Sequence, residues 1–294
     1  MTELDLPTSA QELVPHRGTM LLIDELREYS PEFAAGMTRI TSKNPFLGAA
    51  GKLDDICFVE ILAQLAAAAK GYEARKAGGS VKSGYLAGIN DFSIKGEARL
   101  GDVLQVTMKK TLQVNNITVT DGSIFIGEKC IASGTLKLYV AENGAVPALT
   151  LSPGYPEENK VFAASQKSVM YTHILNSLTM MDASTKTGIA AGEFLFDKDF
   201  PGFHGHFPGY PLLPGIVMIG MSLAVCEAAC TAPMMLAGLE RAKFSKQVLP
   251  GDTVRVEVSI QKRDDGYNVR SQMTTAGIPT ALFDFTAKQD ILNR

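Results

Sequence analysis

The pattern of apolar and polar positions predicts one long buried helix in each half of the chain. The first helix runs through "DDICFVEILAQLAAAAKGYEARKAGG", where Asp54 or Asp55 can cap the start and Gly78 ends the helix. The second helix lies in "PGIVMIGMSLAVCEAACTAP", beginning just after Pro214 and ending before Pro233. Both segments are apolar on almost every face, so we expect both helices to be buried.

Alternating, β-branched segments follow each helix and predict long antiparallel strands. The first half has "DVLQVTMKKTLQV", "NNITVTDGSIFIG" and "KCIASGTLKLYV", and the second half has "TVRVEVSIQKR", "GYNVRSQMTTAG" and "TALFDFTAK". Turn signals such as "TDGS" and "RDDG" predict hairpins between these strands. One buried helix with a meander of long strands predicts an α+β unit whose sheet wraps around the helix.

Three short matches occur in the same order in both halves and predict a duplicated domain. The pairs are "AAGMTRI" with "AAGEFLF", "LAGIND" with "LAGLER", and "LGDVLQVTM" with "PGDTVRVEV". The run "ENGAVPALTLSPGYPEENK" between the halves is rich in Pro, Gly and Asn, which is typical of a linker. We therefore place an N-terminal domain at residues 1–141, a linker at 142–163 and a C-terminal domain at 164–294.

Composition and charge exclude several classes of protein. The net charge of −3 argues against nucleic acid as the main partner, because such a partner needs a dense basic face. The start, "MTELDLPTSAQEL", lacks the apolar core of a secretory signal, and Glu60 and Glu227 interrupt the longest apolar runs before they reach the length of a membrane span. The four cysteines show no metal-ligand spacing. These features predict a cytoplasmic protein without a metal site or a membrane span.

A long motif in the second half carries a family resemblance. The stretch "GHFPGYPLLPGIVMIG", followed by "LAGLERAKFSKQVLPGD", resembles the β-hydroxyacyl-[acyl-carrier-protein] dehydratases of the FabZ/FabA type through H-F-P-G-x-P-x-x-P-G. In the first half, "VPHRGTMLLIDEL" and "FVEILAQLAAAA" resemble the opening segment and central helix of that family. The first half is the more divergent copy and is similar to the partner-type dehydratase subunits of aryl-polyene pathways. The resemblance implies a tandem hotdog fold.

The resemblance also implies a reaction, the loss of water from a 3-hydroxyacyl thioester to give a trans-2-enoyl thioester. In the family, a loop His removes the α-proton, an acidic residue on the central helix protonates the departing hydroxyl, and a backbone N–H at a helix start binds the thioester oxygen. Carried onto this chain, the His is His206 and the backbone donor is Gly215. The acid position of the second half holds Gly220, whereas that of the first half holds Glu60.

The two halves therefore have complementary losses. The first-half loop, "TSKNPFLGAAGKLDDICFV", contains no His. Family members pair so that each site takes His from one subunit and the acid from the other, so a pseudo-dimer of the two halves has one complete site, His206 with Glu60. Around it, Phe207, Pro208 and Pro214 are expected to bind substrate. Gln64, one turn after Glu60, is expected to hydrogen-bond to Glu60 or to substrate, or to pack. His16, in "PHRGTM", is interpreted as structural or pocket-lining.

Two other functions remain open at this stage. One is a non-catalytic hotdog protein that binds acyl chains, with Gly220 as a sign of decay. The other is an acyl thioesterase, since that chemistry also uses carboxylates on hotdog helices. The resemblance implies no cofactor, and it implies a substrate carried on an acyl carrier protein or on coenzyme A. The basic residues Arg241, Lys243 and Lys246 are candidates to meet an acidic carrier, the alternative being an ordinary solvated face. Further association of the pseudo-dimer is left open.

Overall fold

The computed structural model describes residues 5–145, 167–184 and 188–290. In chain order the strands are β1 (Thr8–Ser9), β2 (Glu25–Ser30), β3 (Phe33–Arg39), β4 (Lys82–Ile94), β5 (Val103–Val114), β6 (Ile117–Ile126), β7 (Lys129–Ala145), β8 (Leu178–Ser184), β9 (Ile189–Leu195), β10 (Met234–Phe244), β11 (Thr253–Arg263), β12 (Gly266–Thr275) and β13 (Ile278–Gln289). The α-helices are α1 (Cys57–Lys76), α2 (Val169–Asn176), α3 (Pro201–His204) and α4 (Gly215–Cys230). Among these residues, no helix is long and apolar enough to cross a membrane.

The strands form one continuous antiparallel sheet in which the two halves mirror each other. Its order is β1-β2-β3-β5-β6-β7-β4 in the first half, continuing as β10-β13-β12-β11-β9-β8 in the second. The halves join where β4 pairs with β10, with Ile89 opposite Ala242. Each half-sheet packs against its own long helix, α1 or α4, so the fold is the tandem hotdog that the resemblance implied.

Both long helices lie where the apolar pattern predicted them. Helix α4 follows Pro214, and its residues from Ile216 to Cys226 are buried. Helix α1 ends at Lys76, and Gly78 follows the C-cap residue Ala77 with a φ of +76°, the left-handed conformation that glycine adopts without a steric penalty. The predicted aspartate cap on α1 is wrong, because Ile56 occupies the cap position and no side chain caps the helix. Asp54 instead accepts a hydrogen bond from the Ser168 hydroxyl of the other half.

One of the two predicted turns is also wrong. "RDDG" connects β11 to β12 as expected, but "TDGS" lies inside β6. A Cβ on Gly122 would come within 2.8 Å of the Leu62 side chain. This glycine is therefore needed because helix α1 packs closely against the strand, which a turn signal in the sequence cannot distinguish from a hairpin.

The predicted linker falls mostly outside the described residues. Its first residues, 142–145, continue β7, which pairs with β4 as far as Lys82 opposite Ala145. The stretch 146–166 lies outside the described part of the chain. The domain boundaries therefore stay predictions.

Candidate active site

A cavity of about 740 Å³ lies between the two halves of the chain. The first half contributes His16 and Glu60 to its lining, and the second half contributes His206, Phe207 and Gly215. The halves touch closely here, because the Arg17 N–H donates a hydrogen bond of 3.1 Å to the Gly205 carbonyl. A Cβ on Gly205 would lie 1.9 Å from the Arg17 oxygen, so only glycine allows this contact.

The loop before α4 presents His206 as a neutral imidazole with one nitrogen available. His206 Nδ1 lies 3.0 Å from the Leu212 carbonyl oxygen, which can only accept a hydrogen bond, so Nδ1 carries the proton. The ring stacks on Phe207 at a centroid distance of 4.2 Å. Burial lowers the pKa of His206 to about 4, although the charge of Glu60 opposes this shift. The unprotonated Nε2 can therefore accept a proton at neutral pH.

Glu60 is a buried carboxylate on the first turn of α1. Its Oε1 lies 3.2 Å from His16 Nε2 and accepts a 2.9 Å hydrogen bond from Gln64 Nε2. Gln64 is held in turn by the Met20 carbonyl and the Leu22 N–H. Burial by itself raises the pKa of Glu60, but the hydrogen bond and charge of His16, with help from His206 and Gln64, lower it to about 2. Of the two states open to a buried carboxyl, paired or protonated, Glu60 adopts the paired and ionised one.

His16 was interpreted from the sequence only as structural or pocket-lining, yet it lies at the centre of the site. One ligand-capable atom from each of His16, Glu60 and His206 lies within 4.8 Å of the others. The His16 and His206 rings are 5.2 Å apart between centroids. The available signal was the position of His16 in the opening segment of the family, but only the fold brings that segment beside Glu60. A group this compact would also suit a small cation, so treatment with a chelator is a control for rates measured here.

Gly215 places the start of helix α4 at the cavity. It is the first residue of the helix, after Pro214 at the cap position. The first N–H groups of a helix have no partner within it and carry the positive end of the helix dipole. A Cβ on Gly215 would lie 3.0 Å from the Phe244 ring, so the glycine keeps this end of the cavity open.

The other residues predicted to bind substrate occupy different positions. Phe207 lines the cavity, whereas Gln64 is fully buried behind Glu60 and supports its carboxylate. Pro208 and Pro214 are not among the described residues that line the cavity. Lys246 lies at the lining of the cavity, on the side of β10.

The pseudo-symmetric counterpart of this site is largely filled. A Cβ on Gly220 would lie 2.8 Å from Ile174 Cδ1, so helix α2 occupies the space where a carboxylate would lie. The remaining cavity there measures about 310 Å³ and is lined by Asp54, Asp55 and Tyr171. The Met170 N–H donates to the Pro45 carbonyl, which anchors α2 across the two halves.

The fold and the pairing of His206 with Glu60 define a class, the double-hotdog proteins with a His/Glu site between the two halves. Two family models match the chain in tandem: ApeP-like, described as ApeP dehydratase, over residues 8–148, and ApeI-like, described as ApeI dehydratase, over residues 182–277. Together they span most of the chain. The chain belongs to the hotdog dehydratase family of the FabZ/FabA type, with an ApeP-like domain followed by an ApeI-like domain.

Individual curated proteins and solved structures are also similar to this chain. A "3-hydroxyacyl-[acyl-carrier-protein] dehydratase FabZ" of Pelotomaculum thermopropionicum is 42% identical over 72 residues, which are 21% of this chain and 49% of the relative. The chain thus spans about half the length of this curated relative.

The dehydratase domain of RzxB from Pseudomonas fluorescens matches 93% of this chain and 100% of its own length, with a TM-score of 0.54 and 11% identity. A putative oleoyl thioesterase from Lactobacillus plantarum matches 88% of this chain and 98% of its own, with a TM-score of 0.58 and 9% identity. At such identities these two structures support the fold alone.

Proposed function

We propose that the chain removes water from a 3-hydroxyacyl thioester at one composite site between its two halves. His206 is the base, Glu60 delivers a proton to the departing hydroxyl, and the Gly215 N–H binds the thioester oxygen. The observation that carries this proposal is the joint lining of one cavity by His206 and Gly215 from the second half and Glu60 from the first. Each half lacks one member of the pair, so neither half accounts for the reaction by itself.

The geometry of the three groups suits their roles. Because Nδ1 of His206 donates to the Leu212 carbonyl, the Nε2 lone pair is directed elsewhere and can take an α-proton. The negative charge that develops on the thioester oxygen is stabilised by the start of α4 at Gly215. Glu60 lies within 4.8 Å of His206 and lines the same cavity, so one bound substrate can contact both side chains.

The cavity also supports an acyl substrate on a carrier. It continues from the site along Ala63, Ala66 and Ala67 of α1, whose small side chains leave space for an acyl chain, and reaches Tyr85 on β4. Lys246 lines the cavity, and Arg241 and Lys243 are exposed on or beside β10, where an acidic carrier protein could bind. An acyl carrier protein is therefore the proposed partner, with coenzyme A as the alternative carrier. A cytoplasmic location stays a prediction.

The two other functions make different demands on the site. A thioesterase needs a carboxylate but has no use for the His206 loop, and its product is a free acid. A non-catalytic acyl-binding protein has no use for an imidazole that lies within 4.8 Å of a buried, ionised carboxylate. The preserved pairing of His206 and Glu60 therefore favours dehydration.

The experiment uses the full chain with 3-hydroxyhexanoyl N-acetylcysteamine thioester and follows the enoyl product by absorbance and mass. We expect enoyl formation by the wild type, before and after EDTA treatment. His206→Asn should lower kcat by about 10²–10⁴-fold, because the Asn amide can replace Nδ1 toward Leu212 but cannot take the proton. His204→Asn is the matched control, two positions away, and should keep the wild-type rate. Free acid without enoyl product would indicate a thioesterase, and no turnover of this substrate or of its carrier-protein thioester would contradict the proposal.

A further inference from the structure

The ionised resting state of Glu60 leaves one proton of the proposed reaction without a source. A departing hydroxyl needs a proton, and the pKa of Glu60 is lowered to about 2, so its carboxylate carries none at neutral pH. The His16 and Gln64 donors converge on Glu60 Oε1 and keep it ionised. A titratable group that contacts Glu60 can supply this proton.

His16 is the titratable group in that position. It is only 6% exposed, and its Nε2 lies 3.2 Å from Glu60 Oε1. Its backbone is fixed by Arg17, whose guanidinium donates to the carbonyls of His16 and Val14 and whose N–H donates to Gly205. The imidazole is therefore held against Glu60 by the same contacts that join the two halves.

The second ring nitrogen of His16 has no partner. His16 Nδ1 is buried and makes no hydrogen bond, although buried polar atoms almost always have one. A histidine that served only to fill space or to anchor the segment would be expected to satisfy both nitrogens. His16 uses one nitrogen on a carboxylate and packs its ring against Phe207, edge to face at 4.9 Å between centroids.

We propose that His16 holds the proton that Glu60 passes to the departing 3-hydroxyl, so that the acid of this site is the His16–Glu60 pair. This inference rests on the proposed dehydration. In the resting site His206 is neutral, Glu60 is ionised and His16 carries the extra proton. His206 then takes the α-proton, the C–O bond breaks, and the hydroxyl leaves as water with the proton that moves from His16 through Glu60. No oxidant or further reactant is needed.

The same arrangement returns the site to its starting state. After the reaction His206 carries one proton too many and His16 one too few. The two rings lie 5.2 Å apart between centroids in one cavity, close enough for the released water to bridge them. Desolvation lowers the pKa of the half-buried His206 to about 4, so this ring gives up its proton readily. The charged or titratable groups facing His16 are Glu60 of α1 and His206 of the loop, with Arg17 beside it in the chain.

The decisive comparison uses two substrates and a variant. His16→Gln places an amide nitrogen near the position of Nε2, so it can hold Glu60 but cannot carry the proton. A 3-fluoroacyl thioester needs the same α-proton removal, but fluoride leaves without a proton. We expect His16→Gln to lower kcat for the 3-hydroxyacyl thioester by about 10²-fold or more with little change in KM, and to keep most of the rate on the 3-fluoroacyl thioester.

The controls separate this inference from the proposed function. His206→Asn should lose both reactions, and His173→Gln, the same change at a histidine outside the cavity lining, should lose neither. If the wild type forms no enoyl product, the proposed function fails. If the wild type is active and His16→Gln dehydrates the hydroxy substrate at a near wild-type rate, or loses both reactions in parallel, the proton-holding role of His16 is wrong.

A measurement on the wild type covers the case in which His16→Gln does not fold. The rate on the hydroxy substrate should show a larger solvent deuterium isotope effect than the rate on the fluoro substrate, because only the hydroxyl takes a proton from the His16–Glu60 pair as it leaves. An equal solvent isotope effect on the two substrates would overturn the inference without any variant.

Discussion

A carboxylate oxygen of Glu60 and a ring nitrogen of His206 lie within 4.8 Å of each other, although the two residues belong to opposite halves of the chain. This distance depends on the pairing of β4 with β10 and on the contact between Arg17 and Gly205. The two halves therefore contribute different titratable groups to one cavity. One half keeps the carboxylate and the other keeps the imidazole.

Glu60→Gln is expected to separate catalysis from binding. The change keeps the shape of the side chain but removes its charge and its capacity to pass a proton. We expect kcat to fall by about 10²-fold or more with KM nearly constant, measured by enoyl formation. Glu128→Gln, the same change at an exposed position, is the control. A change in KM alone would make Glu60 a binding residue.

Stability should depend on pH through His206. Its pKa is about 4 in the folded chain against an ordinary 6.5, so between these values the unfolded chain binds a proton that the folded chain does not. The contribution of His206 to stability is therefore lost as the pH falls through this window. Asp54 and Asp55 each have a pKa raised by burial to about 7, so their effect is to make the folded chain more stable as the pH falls. The effect of His206 must therefore be isolated by comparing the wild type with a variant at that position.

That difference is measured by chemical denaturation of the wild type and His206→Asn. The free energy of unfolding of the wild type should fall relative to the variant as the pH is lowered from about 6.5 to about 4. A difference independent of pH would mean that the His206 imidazole is not held neutral by burial.

One active site per chain is expected. Helix α2 places Ile174 against Gly220, and the cavity on that side lacks both a base and an acid at the corresponding positions. A mechanism-based inhibitor of dehydratases should label His206 and reach saturation at one equivalent per chain by intact mass. Two equivalents per chain, with the second in the cavity beside Asp55, would contradict the single composite site.

Gly220→Glu should destabilise the chain without adding activity. The new side chain would meet Ile174 in a packed interior, which typically costs about 1–3 kcal/mol, and it would bury an unpaired carboxyl in addition. Thermal unfolding should show a lower Tm than for Gly220→Ala, which adds only a methyl group at the same place. A stable Gly220→Glu protein with increased kcat would show that the second site can still be completed.

Local patterns in the sequence determined the elements and much of their order. The apolar run of each long helix, the alternation along the strands and the duplicated segments each depend on neighbours along the chain, where burial repeats with the period of a helix or strand. The H-F-P-G motif likewise placed His206 and Gly215 near each other, because only nine positions of the chain separate them.

Only the tertiary structure decided which side chains meet across the halves. The sequence predicted Asp54 as a helix cap, but in the fold the Ser168 hydroxyl of the second half binds it. "TDGS" has the composition of a turn, yet Gly122 lies mid-strand because Leu62 leaves no room for a Cβ. The partnership of His16 with Glu60 and the ionised state of that carboxylate depend on burial and on hydrogen bonds between distant segments, which no local pattern encodes.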